Sequence, residues 1–118
     1  MRLSIHTKGV VLSEELRRFA SEKLAVALER LVGSVQMIQL HLTDTNGPDR
    51  NGPVKSCRVV VQINNQESLI VEDCDESVYI VIERSTDRLG VAASQRMDAM
   101  KIENREFRNW LSYRNTKE

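Results

Sequence analysis

Residues 2–7 alternate Arg-Leu-Ser-Ile-His-Thr, with Leu3 and Ile5 on one side, the period-2 pattern of a short, half-buried strand. The period then lengthens. Leu16, Phe19, Ala20, Leu24, Ala27, Leu28 and Leu31 recur at steps of three and four, which lines one face of a helix of about five turns. Ser13 followed by Glu14 and Glu15 supplies its start, a capping hydroxyl and then acids that oppose the dipole. Gly33 supplies a stop, because glycine enters the left-handed region without steric cost. Residues 35–43 return to alternation with Ile38, Leu40 and Leu42 on one face. A strand, helix and strand of this length predict a parallel pair joined by a right-handed crossover.

Between Asp44 and Val54 the triplets Asn46-Gly47-Pro48 and Asn51-Gly52-Pro53 forbid any regular element. Residues 55–63 are β-branched and apolar enough for a central strand, Asn64-Asn65 reads as a turn, and Ser68 to Glu72 as the returning strand. From Asp75 the helical period resumes, with Val78, Ile82, Ser85, Leu89, Ala93, Met97 and Met100 on one face. The predicted order is β-α-β-β-β-α. Two helices with one apolar stripe each, beside four strands, pack as an α+β two-layer sandwich: a four-stranded mixed sheet with both helices on one face, resembling a double-stranded-RNA-binding fold. A fold of this kind does not by itself assign a function.

With 118 residues, 41% of them apolar, the chain buries enough surface for one domain to fold without metal or disulfide staples. Its two cysteines make no disulfide framework and no zinc-ligand spacing. Cys57 and Cys74 are placed to face each other across the hairpin, as reduced thiols. No apolar stretch approaches the roughly 20 residues that span a bilayer, and MRLSIHTKGV is too short and polar for a signal peptide, so the expected compartment is a reducing cytosol.

Seventeen Lys and Arg balance seventeen Asp and Glu. That neutrality argues against a generic polyanion binder. The distribution is uneven, because residues 64–79 hold Glu67, Glu72, Asp73, Asp75 and Glu76 and no cation. A basic face therefore requires that acidic cluster to lie elsewhere on the surface. Glu72, Asp73, Asp75 and Glu76 need no metal, since Asp75 can cap the second helix and Glu76 oppose its dipole. His6 and His41 fall on neighbouring strands but lack the third ligand of a zinc site and the nucleophile of a hydrolase. Tyr79 sits beside the buried stripe and packs at its edge. No phosphate loop, nucleophile–base pair or cofactor motif occurs, so neither an enzyme nor a small-molecule substrate is expected.

Three stretches carry a resemblance: LSEELRRFASEKLAVALERL, TDTNGPDRNGPVKSCRVVV and VEDCDESVYIVIERSTDRLG. Within them stand Leu16 with Lys23-Leu24, then Asn46-Gly47-Pro48 followed by Lys55 and Cys57-Arg58-Val59, then Asp75-Glu76-Ser77-Val78-Tyr79 leading to Ile82-Glu83 and Asp87-Arg88-Leu89. In order and spacing the chain resembles, from about Leu3 to Ala93, the ribosome hibernation promoting factors, also called ribosomal subunit-interface proteins and historically sigma factor modulation proteins. The resemblance implies a cytoplasmic protein that docks in the cleft of the small ribosomal subunit, across the paths of messenger and transfer RNA, and pauses translation in stationary phase or stress. The mechanism it implies is occupancy, with cations reaching the phosphates of folded ribosomal RNA.

By position, the residues implied to contact RNA are Lys8 after the first strand, Arg17, Arg18, Lys23 and Arg30 on or beside the first helix, Lys55 and Arg58 at the entry to the third strand, and Arg84, Arg88, Arg96 and Lys101 on the second helix. Ordinary helix-surface pairs compete for the helical ones, among them Glu14 with Arg18. The sequence departs from the family where Leu89 is followed by Gly90-Val91-Ala92-Ala93-Ser94 instead of further basic and amide residues. Weaker RNA binding than in a basic relative follows. Residues 1–101 form the predicted domain, and 102–118 a helical extension or tail. Met97 and Met100 continue through Phe107 and Leu111, with Trp110 alongside, as an apolar stripe that either folds back on the sheet or meets a partner, including a second copy of the chain; Gly90 is a candidate bend. The alternative function is thus a non-catalytic protein-interaction module of the same fold.

Overall fold

The computed structural model describes the backbone of residues 2–45 and 54–116, with side chains for 2–44 and 54–101. The breaker-rich loop at 46–53 and the side chains of Phe107, Trp110 and Leu111 lie outside the described residues. The elements run β1 (Arg2–Lys8), α1 (Glu14–Ala27), a 3-10 turn (Glu29–Leu31), β2 (Val35–Thr45), β3 (Val54–Ile63), β4 (Leu69–Asp75) and α2 (Val78–Thr116). Strand order in the sheet is β1-β2-β3-β4. The predicted crossover appears as a parallel β1–β2 pair, and the two hairpins are antiparallel, giving the mixed sheet expected.

Alternation divides the sheet into two faces. Leu40 pairs with Val59 and Val59 with Val71, while Ile38 pairs with Val61 and Val61 with Leu69, so their side chains form two apolar rows across β2, β3 and β4. Against these rows pack Leu16, Ala20 and Leu24 of α1 and Val81, Ile82, Leu89 and Ala93 of α2, all 3% exposed or less. Both helices therefore cover one face in a single core. A register shift between Val35 and Met37 adds one residue to β2. This bulge lets Val35 and Ile38 both point inward although alternation alone would put them on opposite faces.

Ser13 caps α1 as the sequence indicates: its backbone is extended and its hydroxyl accepts the Leu16 amide at 3.1 Å. The end of the helix corrects the expectation at Gly33. α1 stops at Ala27, Leu28 takes φ −107° and ψ 11°, and a tighter 3-10 turn brings Leu28 and Leu31, each 1% exposed, under the same core. Among the described residues, the glycine in the left-handed region is instead Gly9, at φ +75°, where an added Cβ would stand 3.2 Å from the Asp44 carbonyl oxygen. Asn65, at φ 58°, makes the predicted hairpin turn.

The N-terminus of α2 also differs in detail. Ser77, not Asp75, presents its hydroxyl to the Ile80 amide, at 3.4 Å, while Asp75 accepts the Ser77 amide one step earlier at 3.3 Å. Gly90 does not end the helix. Its position faces Ala27 of α1, whose Cα would lie 3.8 Å from an added Cβ, an ordinary van der Waals distance. Gly90→Ala should therefore raise stability by about 0.5–1 kcal/mol, readable as a shifted urea midpoint at unchanged slope, because alanine removes the entropy penalty of glycine inside a helix.

Candidate nucleic-acid interface

The helical layer presents Arg17, Arg18, Lys23 and Arg30 from α1 and the turn after it, and Arg84, Arg88, Arg96 and Lys101 from α2. Lys8 and Arg58 alternate onto the opposite, uncovered face of the sheet, and Lys55 sits at its rim. The cations implied to contact RNA thus fall in three groups.

Most of these cations are engaged within the molecule. Arg84 bridges Asp75 at 2.7 Å and Asp73 at 3.1 Å. One turn on, Arg88 donates to the Glu72 carbonyl at 2.8 Å and lies 3.9 Å from Asp73. Arg96 donates to the Glu67 carbonyl at 2.7 Å. Arg30 meets Asp98 at 3.2 Å, and Lys55 meets Asp44 at 2.8 Å. Lys23 lies 3.8 Å from Glu83 and 5.7 Å from the Phe19 ring, which Tyr79 meets edge-on at 5.0 Å. Tyr79 thus packs at the edge of the helical interface, as its offset from the stripe predicts. Among the described residues, Lys8, Arg17, Arg18 and Lys101 are exposed and have no carboxylate partner.

The acidic cluster does not lie away from the cations, which corrects the condition set from charge distribution. β4 passes into α2 with only two residues between them, so acids at the end of the strand must lie beside the first turns of the helix. The sequence held that signal in the short spacing from Asp73 and Asp75 to Arg84. Asp73 is only 12% exposed in its side chain, and it is the centre of this cluster.

The cysteines differ from expectation by one residue of register. Ser56 pairs with Cys74 and Cys57 with Asp73, so Cys57 faces the helices, 1% exposed, while Cys74 is on the open face. Burial pushes the Cys57 thiol above its ordinary value, against a smaller opposing effect of the Ser85 hydroxyl. It stays protonated and shielded. Iodoacetamide at pH 8 should therefore add one group to the native protein, on Cys74, and two after denaturation, by intact mass.

His6 and His41 are register partners and stack with ring centroids 4.9 Å apart and 14° between planes. No group of three His, Cys, Asp or Glu side chains converges on a metal position among the described residues. Met97 and Met100 rest, half-buried, against the core, so the first part of the C-terminal stripe folds back on the domain. No helix is long and apolar enough to cross a membrane among the described residues.

Residues 3–100 match the family model described as "Sigma 54 modulation protein / S30EA ribosomal protein". Among solved structures, the fold is similar to a ribosomal subunit interface protein from Coxiella burnetii, at 16% identity and a TM-score of 0.68, over 81% of this chain and 97% of that one. It is also similar to the N-terminal domain of Protein Y from Thermus thermophilus, at 20% identity and a TM-score of 0.64, over 80% and 98%. No curated protein sequence matches the chain.

Proposed function

The chain belongs to the sigma 54 modulation protein / S30EA ribosomal protein family, and from that premise we propose that it is a ribosome-binding hibernation factor acting in the cytoplasm by occupancy, without catalysis. It docks on the small ribosomal subunit in the cleft used by messenger and transfer RNA. The observation that carries the RNA contact is the pair Arg17 and Arg18, exposed on α1 with no intramolecular carboxylate among the described residues. Their charge is available to phosphate at no internal loss.

Lys8 and Lys101 stand in the same condition, whereas Arg84, Arg88, Lys23, Arg30, Arg58 and Lys55 must leave carboxylates to reach RNA. Exposed ion pairs such as Lys23–Glu83, Arg30–Asp98 and Arg58–Glu72 are worth about 0–1 kcal/mol each, so exchange of their carboxylates for phosphate is feasible, with a smaller net gain than a free cation gives, whereas Lys55–Asp44 is largely buried. Binding is thus salt-sensitive and modest in affinity. Sedimentation with purified small subunits over a salt series tests it. Two to four phosphate contacts give a log–log slope of about −2 to −4, and absence from the subunit fraction at the lowest salt rejects the function.

The internal pairing of the α2 arginines favours one second reading, a protein-interaction module that has kept the fold and contacts a partner, or a second copy, through the stripe of Met97, Met100, Phe107, Trp110 and Leu111. A dimer at micromolar concentration in analytical ultracentrifugation, with no subunit binding, selects it.

A further inference from the structure

The face of the sheet away from the helices is uncovered, and its composition differs from that of the helical layer. Among the described residues, Arg2, Lys8 and Arg58 alternate onto it with one carboxylate, that of Glu72. The acids of β4 that pair with α2, Asp73 and Asp75, point the other way. Among the described residues, the bare sheet is therefore a face with more cations than carboxylates.

Four residues cross that face in one row. His6 pairs with His41, His41 with Arg58 and Arg58 with Glu72. The first two are stacked imidazoles, and Arg58 is held by Glu72 at 3.3 Å with 53% of its side chain exposed. The His6 ring is steadied by the Ser4 hydroxyl at 2.8 Å. Beside the row lies a basin of about 650 Å³, whose walls include His41, Thr43, Ser56 and Arg58 together with Glu72 and Asp73. A volume of this order holds a nucleotide, and ligand pockets span roughly 300–1,000 Å³.

We propose that this open face is a binding surface for single-stranded RNA, with an unpaired base entering the basin against the outer ring face of His41, whose inner face is held by His6, and the backbone held by Lys8 and Arg58. The outer ring face of a stacked imidazole suits a splayed base, and hydroxyl and amide groups at Ser4, Gln39, Thr43 and Ser56 offer hydrogen-bond partners to base edges and ribose. A duplex keeps its bases inside and gains only the charge. A folded protein partner is disfavoured, because the row across the centre is polar and charged. The inference goes beyond docking on the ribosome: it shares Lys8 and Arg58 with that reading, and the two histidines belong to it alone.

The test uses the full chain with a fluorescein-labelled 12-nucleotide RNA of mixed A and C, which cannot pair with itself, and the same strand annealed to its complement. Single-strand binding by anisotropy should exceed duplex binding by at least tenfold, and His6→Ala with His41→Ala should weaken it tenfold or more, since each stacked base contributes a factor of roughly 5 to 150. Arg58→Gln should lower the salt slope by about 1. Independently of any variant, titration of the ¹⁵N-labelled wild type should move the amide signals of Ser4, His6, His41, Thr43 and Arg58. Equal affinity for duplex, unchanged binding by the histidine variant, or shifts confined to α1 and α2 would each overturn the proposal. Small-subunit sedimentation of the histidine variant should match wild type, which separates this outcome from the ribosome reading.

Discussion

Leu40→Ala is expected to destabilise the domain by about 3–4 kcal/mol and to lower its Tm by more than about 10 °C. Leu40 is fully buried on β2, an interior strand, where it pairs with Ile5 on one side and Val59 on the other beneath both helices. Removing its isobutyl group loses the transfer free energy and leaves a cavity that cannot collapse, because the strands on either side hold the backbone in place. Urea unfolding followed by circular dichroism measures the change, with the slope preserved if the transition remains two-state. Ile70→Ala, on the open face and 53% exposed, is the control and should change stability by less than about 1 kcal/mol. A loss below about 1 kcal/mol at Leu40 would mean that the two layers do not share one core.

The second large effect concerns the ribosome. Arg17→Glu with Arg18→Glu is expected to weaken small-subunit binding by roughly 50-fold at 0.1 M salt, since each lost phosphate contact at that ionic strength is worth nearly tenfold. Stability should hardly move, because neither side chain has an internal partner among the described residues. Arg84→Glu with Arg88→Glu should do the opposite in proportion. It places two new carboxylates against Asp73 and Asp75, now without their cation, and should cost about 1–2 kcal/mol of stability with the smaller binding loss. Sedimentation and thermal melts of the two double variants, run side by side, decide the matter. If the α2 pair loses binding while the α1 pair does not, phosphates displace the internal carboxylates and α2 is the docking helix.

Much of this architecture was legible in the chain. The stripes at three- and four-residue steps placed Leu16, Ala20, Leu24, Ile82, Leu89 and Ala93 in the core, where all are found, and the crossover logic gave the parallel β1–β2 pair. Ser13 was readable because an N-cap depends on local chemistry alone. Features set by tertiary fit were not. The end of α1 answers to the burial of Leu28 and Leu31, not to the nearest glycine, and a one-residue difference in hairpin register sends Cys57 and Cys74 to opposite faces. The candidate site was legible as a set of cations but not as an electrostatic surface. A guanidinium seen in sequence carries no record of whether a carboxylate stands 2.7 Å away, and among the described residues Arg84 has one there while Arg17 does not.

The hold of Arg88 on the Glu72 carbonyl has a consequence for behaviour in concentrated solution. β4 is an outer strand of the sheet, and the unpaired polar groups along such a margin invite another chain to zip on and propagate into insoluble material. A guanidinium resting on that carbonyl, with its charge facing outward, plugs an acceptor that an incoming strand would need. The same arginine that reads as a ligand for RNA thus also guards solubility, and its loss would surface first as turbidity on standing.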